Sequence, residues 1–366
     1  MTVAARRRFL LAASALAAPL VVPRLSRAQA ALEVPTVDQL VVRVITDSSY
    51  DTPRPGSNKW VQVKRAPFIS REDYRKALHN EWGLALALES RRGAESKQLL
   101  LDAGYTPEAL MNNMEIIGVD PARSRALILS HGHYDHFGGL VGFLRKYRER
   151  LPQELVLYAG GEDNFCIRKT QSGAPGHFAD WGVLDRRELE ALRVKVVYCE
   201  KPTVVEGHAF TTGIIQRRSF EKVLPNTLVE YAPRDGVGCN LPDENRKAGG
   251  KPVPDVHIHE HGTCFNVKDR GLVVISSCGH GGIVNTVLQA REVSGVGKVH
   301  AVLGGFHLFP AEDPYLRQTV AELKTLDPDV VIPLHCSGPG FAGAMREMLA
   351  DRLITSTTGT EFTFGA

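Results

Sequence analysis

Apolar residues along this chain fall mostly in short runs, many of them β-branched and bounded by Gly, Asp or Ser. That spacing predicts strands over 39–45, 84–88, 98–101 and 126–129. Between 139 and 150 the period changes, with apolar residues on one side and Lys and Arg on the other, which predicts a helix. The C-terminal part then alternates: strand 272–276, helix 283–293, strand 299–303, helix 315–326, strand 330–334, helix 342–353 and a last short strand at 362–364. A strand-heavy first half, later strand–helix alternation and histidines at strand ends imply a layered α/β sandwich. From about 160 to 255 the pattern breaks into Gly, Pro and polar clusters, and the stretch reads as an insertion carrying lid or recognition loops.

The first thirty residues follow a different rule. Arg6-Arg7-Arg8-Phe9-Leu10 leads into an apolar stretch up to Val22 and then Ala28-Gln29-Ala30, the charged, apolar and small-residue regions of an export signal. The Arg-Arg-x-Phe-Leu order is similar to the twin-arginine signal, an address read by export machinery. The run is too short and alanine-rich for a stable membrane anchor, which needs about 20 strongly apolar residues. The expected mature domain is 31–366, periplasmic or secreted after cleavage near Ala30. Setting the signal aside also changes the charge. It carries five of the 44 basic residues and none of the 41 acidic ones, so the formal +3 of the whole chain becomes −2. No basic stripe remains, so nucleic acid is not an expected partner. Six cysteines in this length do not make a disulfide scaffold. Cys166, Cys199, Cys239 and Cys264 read as buried small residues or an occasional bridge.

The chemistry concentrates at one place. Ala126-Leu127-Ile128-Leu129-Ser130 runs directly into His131-Gly132-His133-Tyr134-Asp135-His136. Two histidines at i and i+2 at the end of an extended segment can turn toward one point, and Asp135 and His136 open the next helix beside them. Imidazoles and a carboxylate suit zinc, and iron, manganese or nickel would accept them too. Gly132, Gly138 and Gly139 let the backbone approach closely.

His-x-His-x-Asp-His after an apolar strand resembles the signature of the metallo-β-lactamase superfamily. Leu100-Leu101-Asp102-Ala103-Gly104 looks like its preceding motif, in which the resemblance makes Asp102 a buttress of the metal-binding loop. The chain is more narrowly similar to the branch named for the archaeal 7,8-dihydropterin-6-methyl-4-(β-D-ribofuranosyl)aminobenzene 5'-phosphate synthase. That likeness rests on 130–140, on Cys278-Gly279-His280-Gly281-Gly282-Ile283-Val284-Asn285-Thr286, on Gly304-Gly305-Phe306-His307-Leu308 and on Pro333-Leu334-His335-Cys336-Ser337-Gly338. It implies an αββα four-layer sandwich holding two divalent metal ions. Departures are Trp82-Gly83, where the branch carries His-Gly, and Thr212-Gly213-Ile214-Ile215-Gln216-Arg217 in place of Thr-Gly-x-Ile-Pro-Arg. Both positions can face substrate, so the branch's own substrate does not transfer.

The resemblance makes His131, His133, Asp135, His136, His280 and His335 the expected metal ligands. Where the superfamily bridges its metals with an aspartate, this chain has Ile275-Ser276-Ser277-Cys278, so Cys278 is a candidate ligand. His261, in His257-Ile258-His259-Glu260-His261, is another candidate, and alternation would put three histidines on one side of a strand there. Cys336 should alternate away from His335 into packing. The expected reaction is hydrolysis of a small-molecule ester, lactone or phosphoester by a metal-bound hydroxide. Asp135 would orient the nucleophile, and His307 or Tyr134 would stabilise the developing anion or protonate the leaving group. Alternatives are a condensation at an activated phosphate ester or iron-dependent oxygenation on the same fold, and, outside catalysis, an exported metal-binding protein.

Overall fold

The computed structural model describes residues 32–49, 57–67, 69–224 and 227–365. The export signal expected at 1–30 lies outside the described residues. Among those described, no helix is long and apolar enough to cross a membrane.

Two large sheets carry the fold. The first has eight strands in the order Val194–Tyr198, Leu155–Ala159, Ser124–Leu129, Glu95–Leu101, Ala85–Arg92, Gln39–Thr46, Thr360–Gly365 and Gln62–Arg65. The second has seven, running Val204–Val205, Ala209–Thr211, Thr263–Val267, Gly271–Ser276, Val299–Gly304 and Val330–Pro333, with Thr36–Val37 paired to Thr263–Val267. Side chains alternate across each strand, so each sheet feeds two cores. Leu99, Ala126 and Ile128 of the first sheet meet Phe265, Val273, Ile275 and Leu303 of the second in the central core. Leu100, Leu127 and Leu129 point the other way, under Leu110 and Met114 of the Pro107–Ile117 helix and Phe143 and Leu144 of the Leu140–Tyr147 helix. Val274, Val302 and Val331 likewise meet Val287, Val320 and Phe341 of the helices on the second sheet's outer face. The result is the four-layer αββα sandwich.

Nearly every expected strand forms, within a residue or a few at each end. The Pro107–Ile117 helix was not among the expected elements, although Thr106 caps it and proline opens it. The last helix runs Gly338–Met348 and so starts and stops earlier than the expected 342–353, because Pro339 sits in its first turn and Leu349 breaks it.

Between 160 and 255 the chain returns to both large sheets, through Val194–Tyr198 and Ala209–Thr211. It also builds a small sheet of Val253–Pro254, Thr227–Glu230, Ile167–Gln171 and Phe178–Asp180. A Cys166–Cys239 disulfide sits in the core of this small sheet beside Val229 and Tyr231.

Candidate metal centre

The Ser124–Leu129 strand lies inside the first sheet, and its end delivers the histidine-rich segment. His131 and His133 follow in extended backbone, and the short Tyr134–Phe137 helix then carries Asp135 and His136 back beside them. The His131 ring lies 4.6 Å from that of His133 and 4.3 Å from that of His136. Asp102, just past the neighbouring Glu95–Leu101 strand, fixes this segment. Its carboxylate accepts the Ser130 N–H (2.9 Å) and the Ser130 hydroxyl (2.8 Å), and meets His136 Nδ1 at 2.7 Å. A carboxylate only accepts, so we infer the proton on His136 Nδ1, which leaves Nε2 as a free lone pair. Gly132 is required by space: a Cβ there would stand 2.3 Å from the Asn164 carbonyl oxygen and 2.5 Å from Arg168 Nη1.

The second sheet answers with three parallel strands ending side by side. Gly271–Ser276 is followed by Cys278 and His280, Val299–Gly304 by His307, and Val330–Pro333 by His335. The first and third of these ends are each pinned by a buried carboxylate from elsewhere. Glu260 accepts the backbone N–H groups of Gly279 (2.8 Å), His280 (3.0 Å) and Gly281. Asp47 Oδ1 accepts the His335 N–H at 2.7 Å, and Ser48 Oγ bonds His335 Nδ1 at 2.8 Å. His335 Nε2 is thereby aimed at Asp135 Oδ2, 3.3 Å away. His257, His307 and His335 hold left-handed φ angles of 50°, 48° and 48°. Such backbone costs a non-glycine residue about 1 kcal/mol or more and persists where the surroundings enforce it.

These residues converge. Ligand atoms of His131, His133 and His280 lie within 4.8 Å of one another, and so do those of Asp135, His136 and His335. Further groups are His131–His136–Cys278, Cys278–His307–Cys336 and His133–Asp255–His257. His131 Nε2, Asp135 Oδ1, His136 Nε2, His335 Nε2 and both ring nitrogens of His257 and His280 are buried without a hydrogen-bond partner in the protein. One such atom costs about 1–3 kcal/mol, so their concentration at one point fits a cation coordinated there. The electrostatics agree for four of the rings, whereas at His335 burial is outweighed by the Cys336 sulfur and the Asp135 carboxylate, which hold its pKa well above the ordinary histidine value. Burial holds His131, His257 and His280 well below the ordinary histidine pKa and brings His133 to about 4. These rings are therefore neutral near pH 7, the form that ligates metals. Burial pushes Asp135 up, but His136 and His335 beside it outweigh that and keep it below the usual carboxylate range.

The structure thus brings together His131, His133, Asp135, His136, His280 and His335, with Cys278 and His307 at their edge. It does not bring His261 to these groups: its Nε2 bonds the Leu129 carbonyl oxygen at 3.0 Å. Tyr134 packs its ring on Tyr105 (4.9 Å) and Phe137 (5.2 Å), against the helix-side core. Two local expectations are corrected. The 257–261 stretch is not a strand, because Asp255 accepts the His257 N–H and turns the chain there. His257 enters the cluster, stacked 3.6 Å over His280, while His259 Nδ1 accepts the Asp163 N–H. Cys336 does not alternate away into packing, because 335–337 is a 3₁₀ turn and its sulfur lies 3.2 Å from that of Cys278.

Sequence reasoning missed Asp47, Glu260, His257 and Asp255. Asp47 stood behind the same signal as the histidines, a polar residue two positions past a predicted strand. Asp255 binds Arg168, which is buried and also held by Asp163. Nothing in the sequence pairs these distant residues.

Sandwich and cluster together define an α/β protein with a candidate metal site. Residues 92–284 match the model of the metallo-beta-lactamase superfamily, and the chain belongs to that superfamily. It is 28% identical over 268 residues to the 7,8-dihydropterin-6-methyl-4-(beta-D-ribofuranosyl)-aminobenzene-5'-phosphate synthase of Methanocaldococcus jannaschii, covering 72% of this chain and 84% of that protein. It is also 24% identical over 243 residues to an uncharacterized protein of the same organism, covering 66% of this chain and 80% of that one. The crystal structure of Tm1679, a metal-dependent hydrolase of the beta-lactamase superfamily, shares the fold with a TM-score of 0.62 and 20% identity, covering 88% of this chain and 98% of that one. Superfamily members generally bind divalent metals and are mostly metal-dependent hydrolases.

Proposed function

We propose that this protein is a metal-dependent hydrolase that cleaves an ester, lactone or phosphoester bond in a small molecule. The observation that carries the reading is the set of buried, unbonded donor atoms drawn from two strand systems onto one point. His131, His133 and His280 would hold one divalent ion, and Asp135, His136 and His335 a second, with zinc the best match to this donor set. When bound, such ions supply Lewis acidity and a water activated at neutral pH. Asp135, with Oδ1 unbonded, orients the attacking water. His307, whose Nε2–H donates to the Leu224 carbonyl oxygen at 3.1 Å on a half-buried side, would protonate the leaving group. A cavity of about 610 Å³ beside His335, walled by Trp82, Phe309, Ser48, Ser49 and Arg346, gives a small molecule room to enter. Trp82, one of the departures from the similar branch, packs edge-on to Phe309 there at 5.4 Å.

Elemental analysis of the native protein, followed by an ester, lactone and phosphodiester panel, tests the proposal. Two equivalents of a redox-silent metal with turnover on one panel class support it; stoichiometric metal retained after replacing both His131 and His133 by alanine refutes it. The likeness to a synthase favours one second reading, transfer of the activated group to an acceptor other than water. It predicts turnover on a phosphate ester only when an acceptor is added. We also propose export of the protein by the signal at 1–30, tested by whether those residues carry a folded reporter across the membrane in a twin-arginine-dependent manner.

A further inference from the structure

Cys278 belongs to two candidate donor groups. Its sulfur groups with His131 and His136, one ring from each of the two donor sets, within 4.8 Å. It also groups with His307 and Cys336 on the far side. Several contacts there have a direction. His307 Nε2 faces a carbonyl oxygen, which only accepts, so Nε2 carries the proton and Nδ1 is an acceptor. That bare Nδ1 lies 3.6 Å from Cys278 Sγ. Cys336 Sγ accepts the His307 backbone N–H at 3.2 Å and lies 3.4 Å from the Cys278 carbonyl oxygen, to which its S–H donates. The far side of Cys278 is therefore a frame that receives its proton and fixes its sulfur. Its near side faces both donor sets, and the residue is buried.

We propose that Cys278 gives a thiolate shared by both ion positions, and that Cys336 and His307 are positioning residues that hold it there. This rests on the two-ion reading above. On ion binding the thiol proton would pass to His307 Nδ1, the acceptor in reach. A thiolate at this point makes the centre softer than a His and carboxylate set alone and shifts its preference toward zinc over magnesium, calcium or manganese.

The test loads the reduced, metal-free full chain with cobalt(II) alone and records its near-ultraviolet absorption, where thiolate-to-cobalt charge transfer shows. The wild type is expected to take up two equivalents with such a band. Cys278→Ser should lose the band and bind the second equivalent at least about tenfold more weakly. Cys278→Asp should bind both equivalents without the band, which separates loss of the sulfur from loss of the fold. Cys336→Ser should keep the band. Two equivalents bound to wild type without a band, or a band surviving in Cys278→Ser, overturns the proposal. So does a third equivalent whose band disappears in Cys336→Ser, since the sulfur site would then be the Cys278–His307–Cys336 group. If wild type binds no cobalt, or still binds it after His131→Ala with His133→Ala, the two-ion reading itself fails, an outcome visible before any cysteine variant is examined.

Discussion

In the eight-stranded sheet a single strand end, that of Ser124–Leu129, delivers four donor residues within six positions. In the seven-stranded sheet the donors arrive one or two at a time, from the ends of Gly271–Ser276, Val299–Gly304 and Val330–Pro333. The first set is assembled by local geometry and tied by one carboxylate, Asp102. The second depends on register, since Ser276 pairs with Gly304 and Gly304 with Pro333, which puts three separate strand ends level. It also needs a carboxylate under two of the three loops, Glu260 under Cys278–His280 and Asp47 under His335. One half of the site is thus a motif and the other half a consequence of packing. A single substitution in the first half should cost several donors, and in the second only one.

The sharpest way to break this contrast is the double change His131→Ala with His133→Ala. Stoichiometric metal should disappear while the far-ultraviolet circular dichroism stays that of the folded sandwich, since neither ring belongs to a hydrophobic core. Next comes Asp102→Ala, which frees both Ser130 and His136 and should weaken metal binding about 10–100-fold by competition against a chelator. Glu260→Gln keeps one carbonyl oxygen for the Gly279–Gly281 loop, so its effect on metal affinity should be smaller than that of Asp102→Ala. An equal or larger loss would mean that the dispersed half carries the affinity, and would invert the comparison. The smallest effect on metal is expected from Cys166→Ser with Cys239→Ser, which removes a bridge in the small sheet. It should lower unfolding stability by about 2–4 kcal/mol in denaturant titration and leave the metal content unchanged.

How much of this was legible follows the same division. The strands, the layered α/β class and the 131–136 segment were readable because each depends on neighbours in the chain: alternation, strand-end placement, a glycine where space is short. Cys278, His280, His307 and His335 were readable only as polar residues after predicted strands, with the family resemblance supplying their roles. The 257–261 stretch was misread because alternation assumes a strand, whereas the Asp255 carboxylate turns the backbone there and sends His257 inward and His259 to Asp163. Cys336 was misread for the same reason, since a 3₁₀ turn obeys no alternation.

The sequence by itself determined that two apolar strand systems would stack, and that one of them would end in a dense set of metal donors. Period and spacing are local properties, and they survive folding unchanged. Only the tertiary structure decided which distant groups complete the site: that Glu260 and Asp47 hold its far loops, that Arg168 ties Asp163 to Asp255, and that the Cys278 sulfur stands between two sets of histidines. Those arrangements follow from the pairing register of parallel strands and from buried charges finding partners far along the chain, and neither leaves a mark on the order of residues.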